Sequence, residues 1–446
     1  MFLFALFRVR DQLFTRNGHE IEHETTRKII IQQSQNMNNI EQIVNQIVFE
    51  KNQEAVKILE KEAQKKDIWF DSTQKLYEAI ALGKVSGFTV PAINIRTFTF
   101  DTACILFRLM KEKKVGASIF ELARSEAKYT DQPMPEYATV VKAAAIAEGY
   151  KGPVFVQGDH FQIKAEKYFD PQKQGEELTA LMELIRDSIN AGVYNIDIDA
   201  STLVKLDSPD LRTQQIHNYK TTAEMTKFIR AIEPKGITVS VGGEIGEIGG
   251  KNSTQEEFRA FIKGYKALLP GGMKGIIKVS VQTGAAHGGI ILPDGSRADI
   301  KLDLEVLQKI SEEAKKYSLA GTVQHGASTL PEKYFSMFPE KKCIEVHLAT
   351  AFQDIVYNHL SEELREKMYA YCRQNCAEER KPNDTDEQFL MKTRKKALGP
   401  FKKELWNLPE DIKSRIVEAL EVKFTTTFEK LGVCGTKEII ERLYTH

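Results

Sequence analysis

From about residue 88 the chain alternates short β-branched runs with longer stretches whose apolar residues recur at helical spacing. The runs are Thr89–Asn94, Ser118–Leu122, Val154–Gly158, Asn195–Asp199, Thr238–Val241, Gly275–Val281, Gly321–Gln324 and Cys343–His347. Strict alternation predicts parallel strands joined by crossover helices, because parallel neighbours cannot be joined by a hairpin. Eight repeats in about 260 residues favour a closed α/β barrel, the (β/α)8 TIM barrel, over an open doubly wound sheet.

Two segments of different texture flank the barrel pattern. Residues 1–70 are rich in Gln, Asn, Glu and Lys, and apolar residues recur at three- and four-residue steps from Ile40 to Leu59, which predicts an amphipathic helix. Residues 361–446 are charged and helical in pattern, with a solvent loop, KPNDTD, at 381–386. We expect an N-terminal extension at 1–70, a barrel domain at 71–360 and a C-terminal helical extension at 361–446.

The composition argues against several classes of partner. Lys plus Arg and Asp plus Glu number 62 each, so no global field favours nucleic acid or an anionic membrane. No segment approaches the roughly 20 apolar residues that a membrane span needs. Five scattered cysteines indicate a reducing compartment, and we expect the cytoplasm. The start of the chain, an apolar run followed by Arg8, Arg10 and Arg16, leaves an organelle-targeting peptide as the alternative.

Polar residues are concentrated where the predicted strands end. In a (β/α)8 barrel the reactive groups lie at the carboxyl ends of the strands, so polar residues there are better candidates for a functional role than polar residues elsewhere. Four of the nine histidines follow predicted strands, and carboxylates stand beside them. The set comprises Asp159, His160, Asp199, Glu244, His287, His325 and His347. A single histidine at a barrel rim is usually a satisfied polar residue, but several at one mouth predict a metal site.

The chemistry of these side chains favours zinc. Neutral imidazoles suit Zn²⁺, and catalytic zinc sites use three protein ligands and keep one position open for water or substrate. Carboxylates nearby can orient the histidines or bind the ion in an alternative position. Glycines at Gly288 and Gly326 follow two of the histidines, where exposed backbone N–H groups can receive an anion such as phosphate. Taken alone, these glycines are equally consistent with tight loops that have no ligand.

From about Gly87 to Thr350 the chain resembles the class II fructose-bisphosphate aldolases and their tagatose-bisphosphate relatives. The matching stretches are Val90–Asn94, Asp159–His160, Asn195–Ser201, Val239–Gly250, Gly284–Gly288, His325–Ser328 and His347–Thr350. The resemblance implies a zinc-dependent aldol cleavage of a sugar phosphate by a homodimer or larger homo-oligomer, with a place in glycolysis and gluconeogenesis.

The resemblance also implies a role for each residue. His160, His287 and His325 match the three metal ligands, and Asp159 matches the aspartate that exchanges a proton with the oxygen at the bond being broken. Asp199 and Glu244 match carboxylates near a second position of a mobile metal ion. The substrate-contacting positions match Asn94, Gly288, Gly326, Ser328 and Thr350, the last four lining a phosphate. Cleavage leaves an enediolate, whose charge a chelated Lewis acid stabilises, so no Schiff-base lysine is needed.

Three positions depart from the family pattern. The loop after Gly249–Gly250 usually carries acidic residues, one of them a favoured proton-transfer base, but here it continues as Lys251–Ser253. The remaining candidates for that base are Glu247, Glu256 and Glu257, and the sequence does not choose among them. His347 stands where an asparagine is typical, and the stretch after Gly288 lacks a lysine often found there. These changes weaken the assignment of the substrate.

The leading hypothesis is therefore cleavage of fructose 1,6-bisphosphate to dihydroxyacetone phosphate and glyceraldehyde 3-phosphate. The close alternative is an aldolase for tagatose bisphosphate or another ketose phosphate. A hydrolase that uses a zinc-bound water is a different class, and against it the first predicted strand lacks a His-x-His pair and ends in Asn94. The altered acidic loop motivates a third reading, a catalytically silent aldolase-like binding protein.

Overall fold

Eight parallel strands close into a barrel. The structure, a computed structural model, describes residues 39–246, 251–284, 289, 291–298 and 302–444. The strands are β1 (Ile68–Phe70), β2 (Val90–Asn94), β3 (Ile119–Ala123), β4 (Gly152–Gln162), β5 (Asn195–Asp199), β6 (Ser240–Ile245), β7 (Lys278–Val281), β8 (Gly321–Gln324) and β9 (Cys343–Leu348). Strands β2 to β9 pair in chain order, and β9 pairs with β2 to close the ring. The predicted (β/α)8 barrel is confirmed.

The strands lie where the β-branched runs predict them. β5 and β8 coincide with their predicted ranges, and the other barrel strands begin within one to three residues of the predicted starts or on them. All five residues of β2, β3 and β5 are buried, as expected for parallel strands with side chains on one face and helices on the other. β4 is the exception, because it continues to Gln162 where the pattern predicts an end at Gly158.

Helices cover the ring and extend beyond it at both ends of the chain. The α-helices are α1 (39–50), α2 (Gln53–Lys65), α3 (Gln74–Ala81), α4 (Thr99–Glu112), α5 (Arg124–Tyr129), α6 (Met134–Ala147), α7 (Ala165–Tyr168), α8 (Gln174–Asn190), α9 (Leu211–Ile232), α10 (Gln255–Ala267), α11 (Leu304–Lys315), α12 (Met337–Glu340), α13 (Thr350–His359), α14 (Glu362–Asn375), α15 (Asp386–Thr393), α16 (Lys402–Trp406), α17 (Glu410–Lys430) and α18 (Lys437–Tyr444). Short 3-10 helices span Ser201–Leu203, Glu332–Tyr334, Ala377–Glu379 and Arg394–Ala397. Among the described residues, no helix combines the length and the apolar character that crossing a bilayer requires.

The amino ends of the barrel strands are covered by β1 and α3. β1 pairs with the start of β4, where Ile68 aligns with Gly152. Tyr77 of α3 is fully buried, and its hydroxyl donates a hydrogen bond to Glu345 of β9 from below the ring. This end of the barrel is therefore closed by packed side chains, which leaves the carboxyl ends of the strands as the open end.

The amphipathic segment expected from Ile40 to Leu59 is two helices rather than one. Lys51 separates α1 from α2, because its φ of +54° is incompatible with a continuing helix. Asn52 then caps α2, since its Oδ1 accepts hydrogen bonds from the backbone N–H groups of Glu54 and Ala55 at 3.0 and 3.2 Å.

The C-terminal helices pack along the outside of the barrel. α17 packs against α4 and α13. The chain after α17 makes backbone hydrogen bonds from Thr89 to Leu431 and from Gly435 to Lys113, both at 2.9 Å. At the end of α18, the Tyr444 hydroxyl donates to the carbonyl of Ser72 at 2.9 Å. These contacts join the end of the described chain to the segment that precedes the first barrel strand and to the residue that follows α4.

Candidate functional site

β4 carries a bulge at the open end of the barrel. Its pairing with β5 shifts between Gly158 and Phe161, so that Asp159 and His160 together face one residue of β5. His160 has a φ of +39°, which a residue other than glycine adopts only where surrounding packing enforces it. The ring of Phe161 lies over Gly158, where a Cβ atom would be 2.3 Å from it. The bulge therefore requires glycine at 158 and presents Asp159 and His160 side by side.

Three of the predicted metal-binding side chains meet at the carboxyl ends of β4, β6 and β8. One ligand atom each from His160, Glu244 and His325 lies within 4.8 Å of the other two. The imidazole centroids of His160 and His325 are 4.2 Å apart, and Glu244 Oε2 is 3.3 Å from His160 Nδ1. Two imidazoles and a carboxylate are ligands that Zn²⁺ accepts in catalytic sites. This donor set fits a divalent ion.

Two neighbouring side chains orient the imidazoles. Asp199 Oδ2 lies 3.0 Å from His160 Nδ1, and Asp199 is itself held by Gln162 and Ser201 at 2.7 and 2.6 Å. The Ser280 hydroxyl lies 2.8 Å from Nε2 of His325. Hydrogen bonds of this kind set the ring orientation of metal-binding histidines. Asp199 was among the predicted residues, whereas Ser280 was missed, because a serine within a β-branched run carries no distinguishing pattern.

Buried charges at the site depend strongly on one another. Burial, together with the charge of Asp199, raises the pKa of Glu244 to about 7. Burial opposes protonation of His160, but Asp159 and Glu244 outweigh it and raise the pKa of His160 well above its usual value. Burial would raise the pKa of Asp159, yet His160 and His347 hold it well below its usual range. A cation among these carboxylates would relieve their mutual repulsion.

His287, Gly288 and Glu247 lie outside the described residues, so their predicted roles stay predictions. Further along the chain, residues 291–298 form a short hairpin in which Ile291 pairs with Arg297. Helix α15 holds this hairpin, since Gln388 Nε2 donates to the carbonyl of Ile291 at 2.9 Å and Thr385 Oγ1 to that of Pro293 at 2.7 Å. The C-terminal extension thus contacts the hairpin that follows His287 in the sequence.

The structure brings two of the predicted phosphate-lining residues together. Ser328, which is buried after β8, accepts a hydrogen bond at its Oγ from the backbone N–H of Ala351 at 3.2 Å. Thr350 is the first residue of α13, where the helix dipole favours an anion, although the backbone N–H groups of Phe352 and Gln353 already donate to the carbonyl of Ala349 at 3.1 and 3.5 Å. Gly326 has a φ of +66°, which accounts for a glycine at this position. Asn94 lies at the end of β2 and donates a hydrogen bond to Glu126.

Two candidates for the proton-transfer base are engaged elsewhere. Glu257 forms the capping box of α10 with Thr254, whose backbone N–H donates to it at 2.8 Å, and it pairs with Lys251 at 2.8 Å. Glu256 is exposed and pairs with Arg259 at 2.7 Å. Both carboxylates are thus engaged by contacts at the start of α10, Glu257 as a buried group and Glu256 at the surface.

A set of buried polar residues lies below the histidines, and sequence reasoning assigned none of them a role. Its members are Glu121, Gln157, Asp197, Lys278 and Glu345, and each is buried within a barrel strand. Asp197, Glu345 and His347 are close enough to hold a cation, but the Lys278 ammonium already contacts both carboxylates. The available signal was a charged residue inside an otherwise apolar run, as at Lys278.

The protein is thus a TIM barrel with imidazoles and carboxylates grouped at the carboxyl ends of its strands. Over residues 73–405 the sequence matches the family model described as fructose-bisphosphate aldolase class-II, and the chain belongs to that family. Members of the family generally depend on a divalent metal ion. No curated protein sequence matches the chain significantly.

Solved structures of similar fold include three bacterial proteins. A probable tagatose 6 phosphate kinase from Sinorhizobium meliloti 1021 has a TM-score of 0.54 at 13% identity, covering 80% of this chain and 100% of its own. The YdjI aldolase from Escherichia coli K12 has a TM-score of 0.51 at 13% identity, covering 82% and 99%. A fructose-bisphosphate aldolase from Campylobacter jejuni has a TM-score of 0.50 at 16% identity, covering 82% and 95%. At these identities the likeness establishes the fold.

Proposed function

We propose that the protein catalyses the reversible aldol cleavage of a ketose bisphosphate. The substrate in this proposal is fructose 1,6-bisphosphate, and the products are dihydroxyacetone phosphate and glyceraldehyde 3-phosphate, as in glycolysis and gluconeogenesis. The observation that supports it is the grouping of His160, Glu244 and His325 with Asp159 beside them, at the open end of a barrel of the class II aldolase family.

In this proposal His160, Glu244 and His325 hold the metal ion, with His287 as a further ligand. When bound, the ion, which we take to be Zn²⁺, supplies a Lewis acid that stabilises negative charge on the ketose oxygens as the carbon–carbon bond breaks. Asp199 fixes the ring of His160 through their 3.0 Å contact. Glu244 and Asp199 offer the carboxylates for an alternative position of the ion.

Asp159 carries the proton of the substrate hydroxyl in this scheme. Its Oδ1 lies 4.0 Å from His160 Nε2 and from His325 Nδ1, so a hydroxyl bound at the metal site comes within its reach. The low pKa of Asp159, caused by His160 and His347 against the effect of burial, keeps it an anion at neutral pH. In the condensation direction the same carboxyl group returns the proton to the forming hydroxyl.

The remaining predicted residues bind the substrate. Gly326, Ser328 and Thr350, with Gly288, receive one phosphate group at the start of α13, where the helix dipole favours an anion. Asn94 contacts the sugar. We further propose a homodimer or larger homo-oligomer, and a reducing compartment, the cytoplasm, in keeping with five free cysteines.

Metal removal tests the proposal directly. The protein is treated with a chelator, desalted and assayed for fructose 1,6-bisphosphate cleavage through NADH-dependent reduction of dihydroxyacetone phosphate. We expect activity to disappear and to return with about one equivalent of Zn²⁺ per chain. Circular dichroism before and after chelation controls for unfolding. Cleavage that is indifferent to the chelator contradicts the metal-dependent mechanism.

A substrate panel separates this function from its neighbours. Tagatose 1,6-bisphosphate and ketose monophosphates are compared with fructose 1,6-bisphosphate by kcat/KM, and we expect the last to be preferred. A higher kcat/KM for another ketose phosphate reassigns the substrate within the aldolases. If the protein binds Zn²⁺ but no ketose phosphate exchanges its α-proton with solvent, it is a silent binding protein and the proposal fails.

A further inference from the structure

A lysine lies in the interior of the barrel. Lys278 of β7 is fully buried, and its ammonium donates hydrogen bonds to Gln157 Oε1 at 2.7 Å and to Asp197 Oδ2 at 2.9 Å. The third contact is to Glu345 Oε1 on β9, which also accepts a hydrogen bond from the side-chain amide of Gln157 at 3.0 Å. An ammonium has three donors, so every hydrogen-bond donor of Lys278 has a partner. Its contact with Glu345 helps to fix the position of that carboxylate.

His347 connects this interior lysine network to Asp159. Its Nε2 lies 2.6 Å from Glu345 Oε1, and its Nδ1 lies 3.1 Å from Asp159 Oδ1 and 3.2 Å from Glu121 Oε2. Each ring nitrogen therefore lies within hydrogen-bonding distance of a carboxylate oxygen, Nε2 near Glu345 and Nδ1 near Asp159. A side chain whose two ends are both held by charge-assisted hydrogen bonds has one orientation.

This series of hydrogen bonds ends at Asp159, the proposed proton carrier. Asp159 sits on the β4 bulge, where its pairing with β5 is interrupted although it still pairs with Ala123 of β3, so the sheet holds its backbone on one side only. The contact with His347 supplies a fixed point from another part of the barrel, since β9 lies three strands away from β4 around the ring.

We propose that His347 is a positioning residue that acts through Asp159. It holds the Asp159 carboxylate beside His160 and His325, and Glu345 and Lys278 hold His347 in turn. The inference rests on the proposed role of Asp159 as the proton carrier, and it assigns a role to a histidine at a position where the family pattern has an asparagine. In this inference His347 positions Asp159 rather than holding the ion, since its two nitrogens contact Glu345 and Asp159.

A double-mutant cycle in the zinc-loaded full chain tests the link. The variants are Asp159→Asn, His347→Asn and the double variant, with kcat and KM for fructose 1,6-bisphosphate, bound zinc per chain and the thermal unfolding midpoint measured for each. We expect Asp159→Asn to lower kcat about 10³-fold and His347→Asn about 10- to 100-fold, with KM within about twofold. The double variant should equal Asp159→Asn within about twofold, because a residue that acts through another adds nothing once its target is removed.

Two controls keep the test decisive. His359→Asn on α13, whose ring lies 2.7 Å from the backbone carbonyl of Ile355 through Nδ1, should leave kcat unchanged. Glu345→Gln keeps the size of the side chain and should lower kcat in the wild-type background but not in the Asp159→Asn background. This variant carries the test if His347→Asn does not fold.

The outcomes distinguish the inference from the function on which it rests. If the two losses multiply in the double variant, or if kcat of His347→Asn falls only in step with bound zinc, the positioning role is overturned and the aldolase proposal stands. If Asp159→Asn retains full activity, the proposed role of Asp159 is wrong, and the positioning role of His347 is then wrong as well.

Discussion

Asp197 and Gly242 are register partners in β5 and β6, and a Cβ atom on Gly242 would lie 2.2 Å from Asp197 Oδ1. The same Cβ would lie 3.0 Å from Cε of Lys278. The absence of a side chain at this one position therefore makes room for the ion pair between Asp197 and Lys278 inside the barrel.

Gly242→Ala should destabilise the protein. The added methyl group overlaps a buried carboxylate that is already paired, and we expect a loss of about 2 to 3 kcal/mol in the free energy of unfolding, as for overpacked cores. Urea denaturation measures it. Gly271→Ala is the matched control, since a Cβ there meets nothing within 4 Å, and it should change stability by less than about 0.5 kcal/mol. Equal stability of both variants would show that Asp197 can move aside.

Ser280→Ala should weaken metal binding. The change removes the 2.8 Å hydrogen bond to Nε2 of His325, and loss of such a partner typically lowers metal affinity about 10- to 100-fold. Competition for Zn²⁺ with a chromophoric chelator measures the affinity. Ser240→Ala is the control, because that buried hydroxyl on β6 has no hydrogen-bond partner within the described structure. An unchanged affinity in Ser280→Ala would remove Ser280 from the site.

Arg297→Met should disturb the segment that contains His287 without unfolding the protein. Arg297 Nη2 lies 2.6 Å from Asp354 Oδ2 and fastens the hairpin after β7 to α13. A partly exposed ion pair contributes about 1 kcal/mol or less to stability, whereas displacement of a catalytic loop lowers kcat by up to about 10²-fold. Steady-state kinetics with urea denaturation separates the two effects. Arg373→Met, which removes a surface pair with Asp386, should leave kcat unchanged.

Asp101→Asn should stabilise the protein more at pH 8 than at pH 5. Burial and the nearby Glu41 raise the pKa of Asp101 from 3.8 to about 6, although Lys413 opposes the shift. A carboxyl group with a raised folded pKa penalises folding as the pH rises above its unfolded value, and the penalty is complete above its folded value. Asparagine does not ionise and carries no such penalty. The stabilisation of Asp101→Asn relative to the wild type should therefore be about 1 kcal/mol larger at pH 8 than at pH 5. Urea denaturation of the variant and of the wild-type protein at both pH values measures the gain, and an equal gain at pH 5 and pH 8 would contradict the prediction.

Much of the fold follows from local sequence pattern, because strand runs and helical spacing are readable over a few residues. β5 and β8 match their predicted ranges for this reason. The extension of β4 beyond Gly158 does not follow from any run, since it depends on a bulge whose geometry is decided by the ring of Phe161. The break at Lys51 is similar, because one residue with positive φ divides an uninterrupted apolar pattern.

The candidate site shows the same division. His160, Glu244 and His325 could be grouped in advance because parallel strands carry their carboxyl ends to one face of a barrel. The partners below them could not, since Lys278 and Glu345 are 67 residues apart and meet only through the curvature of the closed ring. Ser280 gave no signal, because its importance lies in one hydrogen bond rather than in its residue type.

The docking of α18 determines where a label attached to the C-terminus would lie. The Tyr444 ring packs against Phe155 of β4 with centroids 5.3 Å apart and reaches Ser72, on the side of the barrel away from His160. A fluorophore or an affinity handle attached beyond Tyr444 would start from the rear of the molecule. Protein immobilised through that handle should therefore admit sugar phosphates as freely as protein in solution.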